Sequence, residues 1–323
     1  MHPYFSHILS FGKQFKSESV TTANFENLRK DSYDGIVVFG MGGSGNAGRM
    51  FGGFTKVLGL PPILVWSDYG VPEAGFKNPL YILVSCSGDT DETVSNFKDI
   101  LHRYGGFKPF NFAVVTADGK FKKMATENSA PAVFFEKGEF KSRELLGVMY
   151  SSIYRILAEI FPLSRKEPDY KLPESFSKLA EELSSSLKDK IAIIYTDEAN
   201  RNLGYTWKIN FNETAKIMAF RGIFPEVFHN EIESFSEGGE KLAVLWIYSK
   251  EIPSELSEKV ERLEKIMDEK RIFHHRLPLE GADREEEIWN LVMLSHLTAF
   301  KIAEAKGLDP SEIPIISKLK EGK

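Results

Sequence analysis

One cysteine stands among the 323 residues of this chain. Without a second thiol an internal disulfide is excluded, and Cys86 fits a reducing, cytoplasmic setting. Long apolar runs are missing as well, and none approaches the ~20 residues that cross a bilayer. The opening Met1-His2-Pro3-Tyr4-Phe5 has no basic stretch leading into an apolar one, so a secretory signal is not expected. Excess positive charge is absent too: the net charge of −5 argues against a protein that blankets nucleic acid with cations. What is present is an ordinary globular composition, 42% hydrophobic and 27% charged, ample for a sizeable core. At 323 residues the chain exceeds a typical domain of ~150, which favours two domains.

Apolar, β-rich runs alternate with helical patterns from about residue 35. Ile36 to Phe39, Ile63 to Trp66, Tyr81 to Val84, Phe112 to Thr116 and Val133 to Phe135 read as strands. Asn46 to Leu58, Asp91 to Arg103 and Glu144 to Ile160 read as helices, the second with Asp91 and Glu92 favourably placed in its first turn. Residues 161–173 contain Pro162 and Pro168 and read as a linker. The pattern then restarts: helices at Phe176 to Leu187, Asn200 to Phe211, Ser254 to Lys270 and Glu285 to Lys306, strands at Ile191 to Tyr195, Leu242 to Ile247 and Arg271 to Leu277. Such βα alternation predicts an α/β protein with doubly wound parallel sheets. The expected domains are residues 1–160, including an N-terminal helical segment, and 174–323.

Two strand exits carry the chemistry. Gly40-Met41-Gly42-Gly43-Ser44-Gly45 follows the first strand, and Ser85-Cys86-Ser87-Gly88-Asp89-Thr90-Asp91-Glu92-Thr93 follows the third. Glycine lets backbone approach an anion, while hydroxyls and helix N-terminal N–H groups donate to it. Two such loops at one sheet edge would cradle a monoester phosphate. Gly40, Gly42 and Gly45 also satisfy the G-x-G-x-x-G dinucleotide fingerprint, with Asp68 as a ribose-binding candidate. A second hydroxyl-rich loop is not something a dinucleotide site needs, and no hydride-transfer residues follow, so a phosphorylated small molecule is the better ligand. Cys86 alternates with Ser85 and Ser87 and is expected to point into packing.

The pair M-G-G-S-G and S-x-S-G-[DN]-T-x-E-T resembles the sugar isomerase (SIS) domain. Asn210-Phe211-Asn212-Glu213-Thr214-Ala215-Lys216, Pro225-Glu226-Val227-Phe228-His229-Asn230 and Pro314-Ile315-Ile316-Ser317-Lys318-Leu319-Lys320 narrow the likeness to bifunctional phosphoglucose/phosphomannose isomerases. The resemblance spans nearly the whole chain. It implies two SIS domains, each a mainly five-stranded parallel sheet flanked by helices. It further implies interconversion of glucose 6-phosphate and/or mannose 6-phosphate with fructose 6-phosphate, no cofactor, and a homodimer.

Aldose–ketose isomerisation moves a proton between C1 and C2 through a cis-enediol, and it needs a carboxylate base, a ring-opening group and a positive charge near the enediolate. By resemblance, Glu213 is the base, and His229 opens the ring from across a dimer interface. Lys320 assists, with Lys318 as its rival, and Arg143 steadies the enediolate unless it is a surface residue paired with Glu139 or Glu144. Gly43, Ser44, Ser85, Ser87, Gly88 and Thr90 would hold the phosphate. Better-known members carry threonine before the C-terminal proline, where this chain has Ile313. His274 and His275 would face opposite sides of a strand and could not share a metal, Glu285 to Glu287 read as an acidic helix start, and His296 as a core histidine. A non-catalytic SIS-domain sugar-phosphate sensor is the alternative; it would keep the loops and lose the acid–base groups. Neither nucleic acid nor a membrane is an expected partner.

Overall fold

The computed structural model describes residues 2–55, 57–105, 108–164, 167–237 and 239–321. Two compact units divide the chain: Gly12–Asp169, and Tyr170–Lys323 together with Met1–Phe11.

In the unit Gly12–Asp169, the strands β1 (Val20–Ala23), β2 (Gly35–Phe39), β3 (Ile63–Trp66), β4 (Pro79–Ser85), β5 (Phe112–Thr116) and β6 (Ala132–Phe135) form one sheet in the order β1-β6-β5-β4-β2-β3. Five strands run parallel; β1 closes one edge antiparallel to β6, pairing Val20 with Phe135. Every residue of β2 and β5 is buried, which is why these strands read as unbroken apolar runs: helices cover both faces of a parallel sheet. Those helices are α2 (Gly42–Met50), α3 (Asp91–Tyr104), α4 (Gly119–Glu127) and α5 (Leu146–Ala158). Phe39, Leu83, Phe97, Phe110, Phe112 and Phe121 fill one core layer. Fully burying a side chain of this kind stabilises by roughly 1.5–3 kcal/mol.

α1 (Pro3–Leu9) belongs to the other unit, along with α6 (Ser175–Leu187), β7 (Ile191–Thr196), α7 (Arg201–Asn210), β8 (Ala219–Ile223), β9 (Leu242–Ile247), α8 (Ser254–Glu269), β10 (Phe273–Arg276), α9 (Arg284–Ala305) and α10 (Pro314–Glu321). Its sheet is parallel throughout, in the order β10-β9-β7-β8. Four strands among the described residues, rather than the mainly five the resemblance implied, make this sheet the smaller of the two. The expected grouping of the N-terminal segment with residues up to 160 also fails for its first eleven residues. Tyr4 and Ile8 bury their side chains against Phe300 of α9, and this apolar contact assigns α1 to the second unit.

β8 was missed by strand reading because Phe220 and Arg221 lie exposed, at an edge where one flank has no pairing strand. β10 bears out the alternation argument for its two histidines. His274 meets α8, its Nε2 3.1 Å from Asp268 Oδ1 and its Nδ1 4.0 Å from Glu264 Oε1. His275 instead feels Glu182 on α6. Burial lowers the His275 pKa, Glu182 opposes that shift, and His274 reinforces it. The unfolded chain, at about pH 6.5, therefore takes up a proton that folded His275 resists. The stability due to neutral His275 is present above that pH and lost as pH falls below it. His275→Asn is expected to lose less melting temperature than the parent between about pH 7.5 and about pH 5.5, read by thermal denaturation at both pH values; an equal loss would assign the acid sensitivity to other groups.

Candidate active site

Strand order reverses between β2 and β4: β3 lies beyond β2 on one side, and β5 and β6 beyond β4 on the other. Open parallel sheets bind ligands at the carboxyl ends of the strands flanking such a reversal. The loops leaving β2 and β4 are the two glycine-and-hydroxyl runs, so the topology brings both to one crevice.

The first loop turns tightly into α2. Gly42 has φ +49°, a left-handed conformation, and no side chain caps the helix start. α2 also has no acidic residue in its first turn, leaving its positive dipole end unopposed there. Ser44 sits in this first turn, 7% exposed, and its Oγ accepts the Cys86 backbone N–H at 3.1 Å. That hydrogen bond ties the two loops together. Cys86 itself is buried, as the alternation with its serine neighbours predicts.

The second loop is built around Ser85, whose Oγ accepts the Gly88 N–H at 3.1 Å and donates to Thr90 Oγ1 at 3.4 Å. Ser87 and Thr90 hydroxyls lie 3.5 Å apart. Gly88, at φ +75°, packs so closely that a Cβ there would stand 1.6 Å from the Asp118 carbonyl oxygen. Thr116 Oγ1 donates to the Ser85 carbonyl at 2.7 Å and buttresses the loop from β5. Gly43, Ser44, Ser85, Ser87, Gly88 and Thr90 thus lie on two adjoining loops, with hydroxyls and helix-start N–H groups concentrated where an anion is stabilised. On its outer side, Ser87 borders a cavity of about 590 Å³ whose walls include Asp89, Asp118, Lys122 and Lys137. Its mixed charges do not select an anion.

Arg143 is not a surface residue: it is 2% exposed. Its backbone lies against the first loop, where a Cβ on Gly43 would come within 2.7 Å of the Arg143 nitrogen. Its Nη2 stands 3.8 Å from Glu144 Oε1, and both side chains are buried. Gln14 fixes this segment by donating to the Glu144 carbonyl at 2.8 Å and accepting from the Val148 N–H at 3.1 Å. Nothing in the sequence announces Gln14 or Thr116 as supports of these loops; each acts through backbone atoms far away in the chain.

In the other unit, α7 runs directly into a turn of π-helix, Phe211–Ala215, which carries Glu213 half-buried. The anticipated break between helical stretches is this widened turn, ended by Lys216 at φ +50°. Asn212 Oδ1 accepts the Ala219 N–H at 2.9 Å, and Asn210 Nδ2 donates to Ser295 Oγ on α9 at 2.7 Å. π-Turns occur frequently at functional sites. His229 is exposed at the end of the short 3₁₀ helix Glu226–His229. Lys318 and Lys320 both lie in the last turn of α10 and are exposed. His296 is a core histidine, 3% exposed, whose Nδ1 lies 2.9 Å from the Tyr4 hydroxyl. Asp283 caps the acidic start of α9 by accepting the Glu285 and Glu286 N–H groups. Asp68, the ribose-binding candidate, turns its Oδ1 to the next backbone N–H, that of Tyr69. No group of three or more metal-ligating side chains occurs among the described residues, and no helix there is long and apolar enough to cross a membrane.

Residues 176–322 match the family model of the bacterial phospho-glucose isomerase C-terminal SIS domain. The chain is 29% identical over 304 residues to the bifunctional phosphoglucose/phosphomannose isomerase of Aquifex aeolicus, covering 92% of this chain and 93% of that one. It is 25% identical over 317 residues to the enzyme of the same name from Thermoplasma volcanium, covering 95% and 99% respectively. Among solved structures, glucosamine-6-phosphate deaminase from Thermotoga maritima superposes with a TM-score of 0.63 at 12% identity, over 96% of this chain and 97% of that one, a likeness of fold. Such relatives run nearly end to end along the chain and an SIS-domain model matches most of its C-terminal half, so the chain is similar to bifunctional phosphoglucose/phosphomannose isomerases over almost its whole length.

Proposed function

We propose that this protein is an aldose–ketose isomerase that interconverts glucose 6-phosphate and mannose 6-phosphate with fructose 6-phosphate through a cis-enediol. The observation that carries the reading is the pair of hydroxyl-and-glycine loops at the strand-order reversal, joined by the bond from Cys86 N–H to Ser44 Oγ. Ser44, Ser85, Ser87 and Thr90, with N–H groups near Gly43 and Gly88, hold the phosphate. The two units correspond to two SIS domains.

His229 and Lys320 open the pyranose ring, Glu213 moves the proton between C1 and C2, and Arg143 stabilises the enediolate. Exchanging a carbon-bound proton calls for a carboxylate, and the reaction requires neither metal nor redox cofactor. The buried setting of Arg143 supports its role, since charge acts more strongly away from water. The retained acid–base residues disfavour a non-catalytic sensor. The protein acts as a cytoplasmic homodimer in which His229 serves the partner's site. Ile315 and Leu319 on α10 are 82% and 80% exposed, an apolar face consistent with such pairing. Ile313 in place of threonine adjusts the balance between the two C2 epimers, by no more than about 1–3 kcal/mol for a change of this size in an apolar pocket.

Coupled assays of fructose 6-phosphate formation from each aldose test the reading. Turnover of both sugars is expected without added metal and in the presence of a chelator. Folded protein that binds either sugar phosphate yet turns over neither would leave the sensor as the correct description.

A further inference from the structure

α1 reaches the π-turn through the buried hydroxyl of Tyr4. Tyr4 is 1% exposed, its ring stacked on Phe300 with centroids 6.0 Å apart and an 8° interplanar angle. Its OH lies 3.0 Å from Thr214 Oγ1 and 2.9 Å from His296 Nδ1. Thr214 is fully buried, His296 nearly so, and Thr214 directly follows Glu213 in the π-turn. Placing three polar groups in an aromatic core is costly unless they satisfy one another, and once satisfied they fix one geometry. A phenol has one proton, so the chain runs in one direction at a time: Tyr4 donates to one neighbour and accepts from the other.

A π-turn departs from the regular i→i−4 ladder, so tertiary anchors rather than helix geometry must set the direction of its side chains. Thr214 takes its anchor from Tyr4, and Asn212 takes one from the Ala219 N–H. These two anchors flank Glu213 on either side in sequence. On the reading that Glu213 transfers the proton, we propose that Tyr4, through Thr214, is a positioning residue that holds the Glu213 carboxylate in line for proton transfer. Tyr4 touches no reacting atom. Removing its hydroxyl leaves phosphate binding untouched and lets the carboxylate drift, and a displacement of about 1 Å can cost about 100-fold in rate.

The test compares the parent with Tyr4→Phe, Thr214→Ser, Thr214→Val, the double variant Tyr4→Phe/Thr214→Val and Glu213→Gln, all in the full chain with fructose 6-phosphate. Tyr4→Phe is expected to lower kcat about 10- to 100-fold with KM within about twofold of the parent. Thr214→Ser keeps the hydroxyl and should retain activity. Thr214→Val should show the same kcat-specific loss as Tyr4→Phe, and the double variant should be no worse than Tyr4→Phe, because both single changes remove the Tyr4–Thr214 hydrogen bond and only Tyr4→Phe also removes the contact with His296. If Tyr4→Phe fails to fold, Thr214→Val, which keeps the tyrosine ring, carries the same comparison. Parental kcat in Tyr4→Phe with Glu213→Gln inactive overturns the positioning role and leaves Glu213 as the base. An active Glu213→Gln overturns the base assignment, and the positioning role with it. A loss in apparent kcat that disappears when rates are normalised to the folded fraction would also overturn the proposal.

Discussion

Glu213→Gln is expected to lower kcat for fructose 6-phosphate about 10²- to 10⁴-fold, the range that a positioned acid–base group supplies. Glutamine keeps the shape of a half-buried side chain at the π-turn, so the turn and its anchors at Asn210, Asn212 and Thr214 stay in place. It cannot carry a proton between C1 and C2. KM should change little, since the proposed phosphate contacts belong to other residues; such a loss in kcat alone marks an interaction made in the transition state. A second readout separates this from general damage: in deuterated water the parent should exchange label into the sugar at C1 or C2, and the variant should not. Undiminished exchange in Glu213→Gln would transfer the base role to another residue.

Gly88→Ala should produce the largest structural effect. Gly88 has φ +75°, where an L-residue is strained by roughly 1–2 kcal/mol. Its Cβ would also stand 1.6 Å from the Asp118 carbonyl oxygen, a clash that no rotamer relieves because the opposing atom is backbone. A destabilisation of about 3 kcal/mol is expected, about 6–12 °C in the melting temperature of a unit this size. The displaced loop should raise KM for the sugar phosphate at least about tenfold, since Ser85 Oγ loses the Gly88 N–H that orients it. Gly42→Ala is the internal control. It too has positive φ, +49°, but nothing lies within 4 Å of its missing Cβ, so it incurs conformational strain alone. Equal melting temperatures for the two variants would show that the Gly88–Asp118 packing contributes nothing.

Much of the first sheet was legible because its inner strands are buried on both faces and therefore read as continuous apolar runs, with Phe112–Thr116 recovered to the residue, and the half-buried edge strand Ile63–Trp66 was recovered because it too is an unbroken apolar run. The two loops leaving β2 and β4 stood out because glycine and hydroxyl residues cluster there for backbone reasons. Edges were harder. β1 is a four-residue strand with an exposed middle, and β8 lacks a buried periodicity, so neither carried a hydrophobic signature. α2 begins at Gly42 rather than at Asn46, and the glycines of its first turn, of low helical propensity, hide the helix start; Gly45 packs there against Gly40, and Gly48, near the other end, against Val38. The burial of Arg143 and the attachment of α1 to α9 arise from contacts distant in sequence: Gly43 with the Ser142–Arg143 backbone, and Tyr4 with Phe300. Local pattern reports which face of an element is apolar, not which partner that face meets.

The second sheet repeats the strand-order reversal, between β7 and β9, but closes it differently. Asp197, at the exit of β7, accepts the Asn200 N–H at 2.9 Å on Oδ1 and the Ser249 N–H, beyond β9, at 2.9 Å on Oδ2. A built-in carboxylate therefore occupies the donors that an incoming dianion would need, and it would repel that dianion as well. The duplicated architecture is thus electrostatically lopsided: on the proposed reading the first crevice accepts negative charge while the second already holds a carboxylate, so a polypeptide with two such sheets should take up one phosphate ester rather than two.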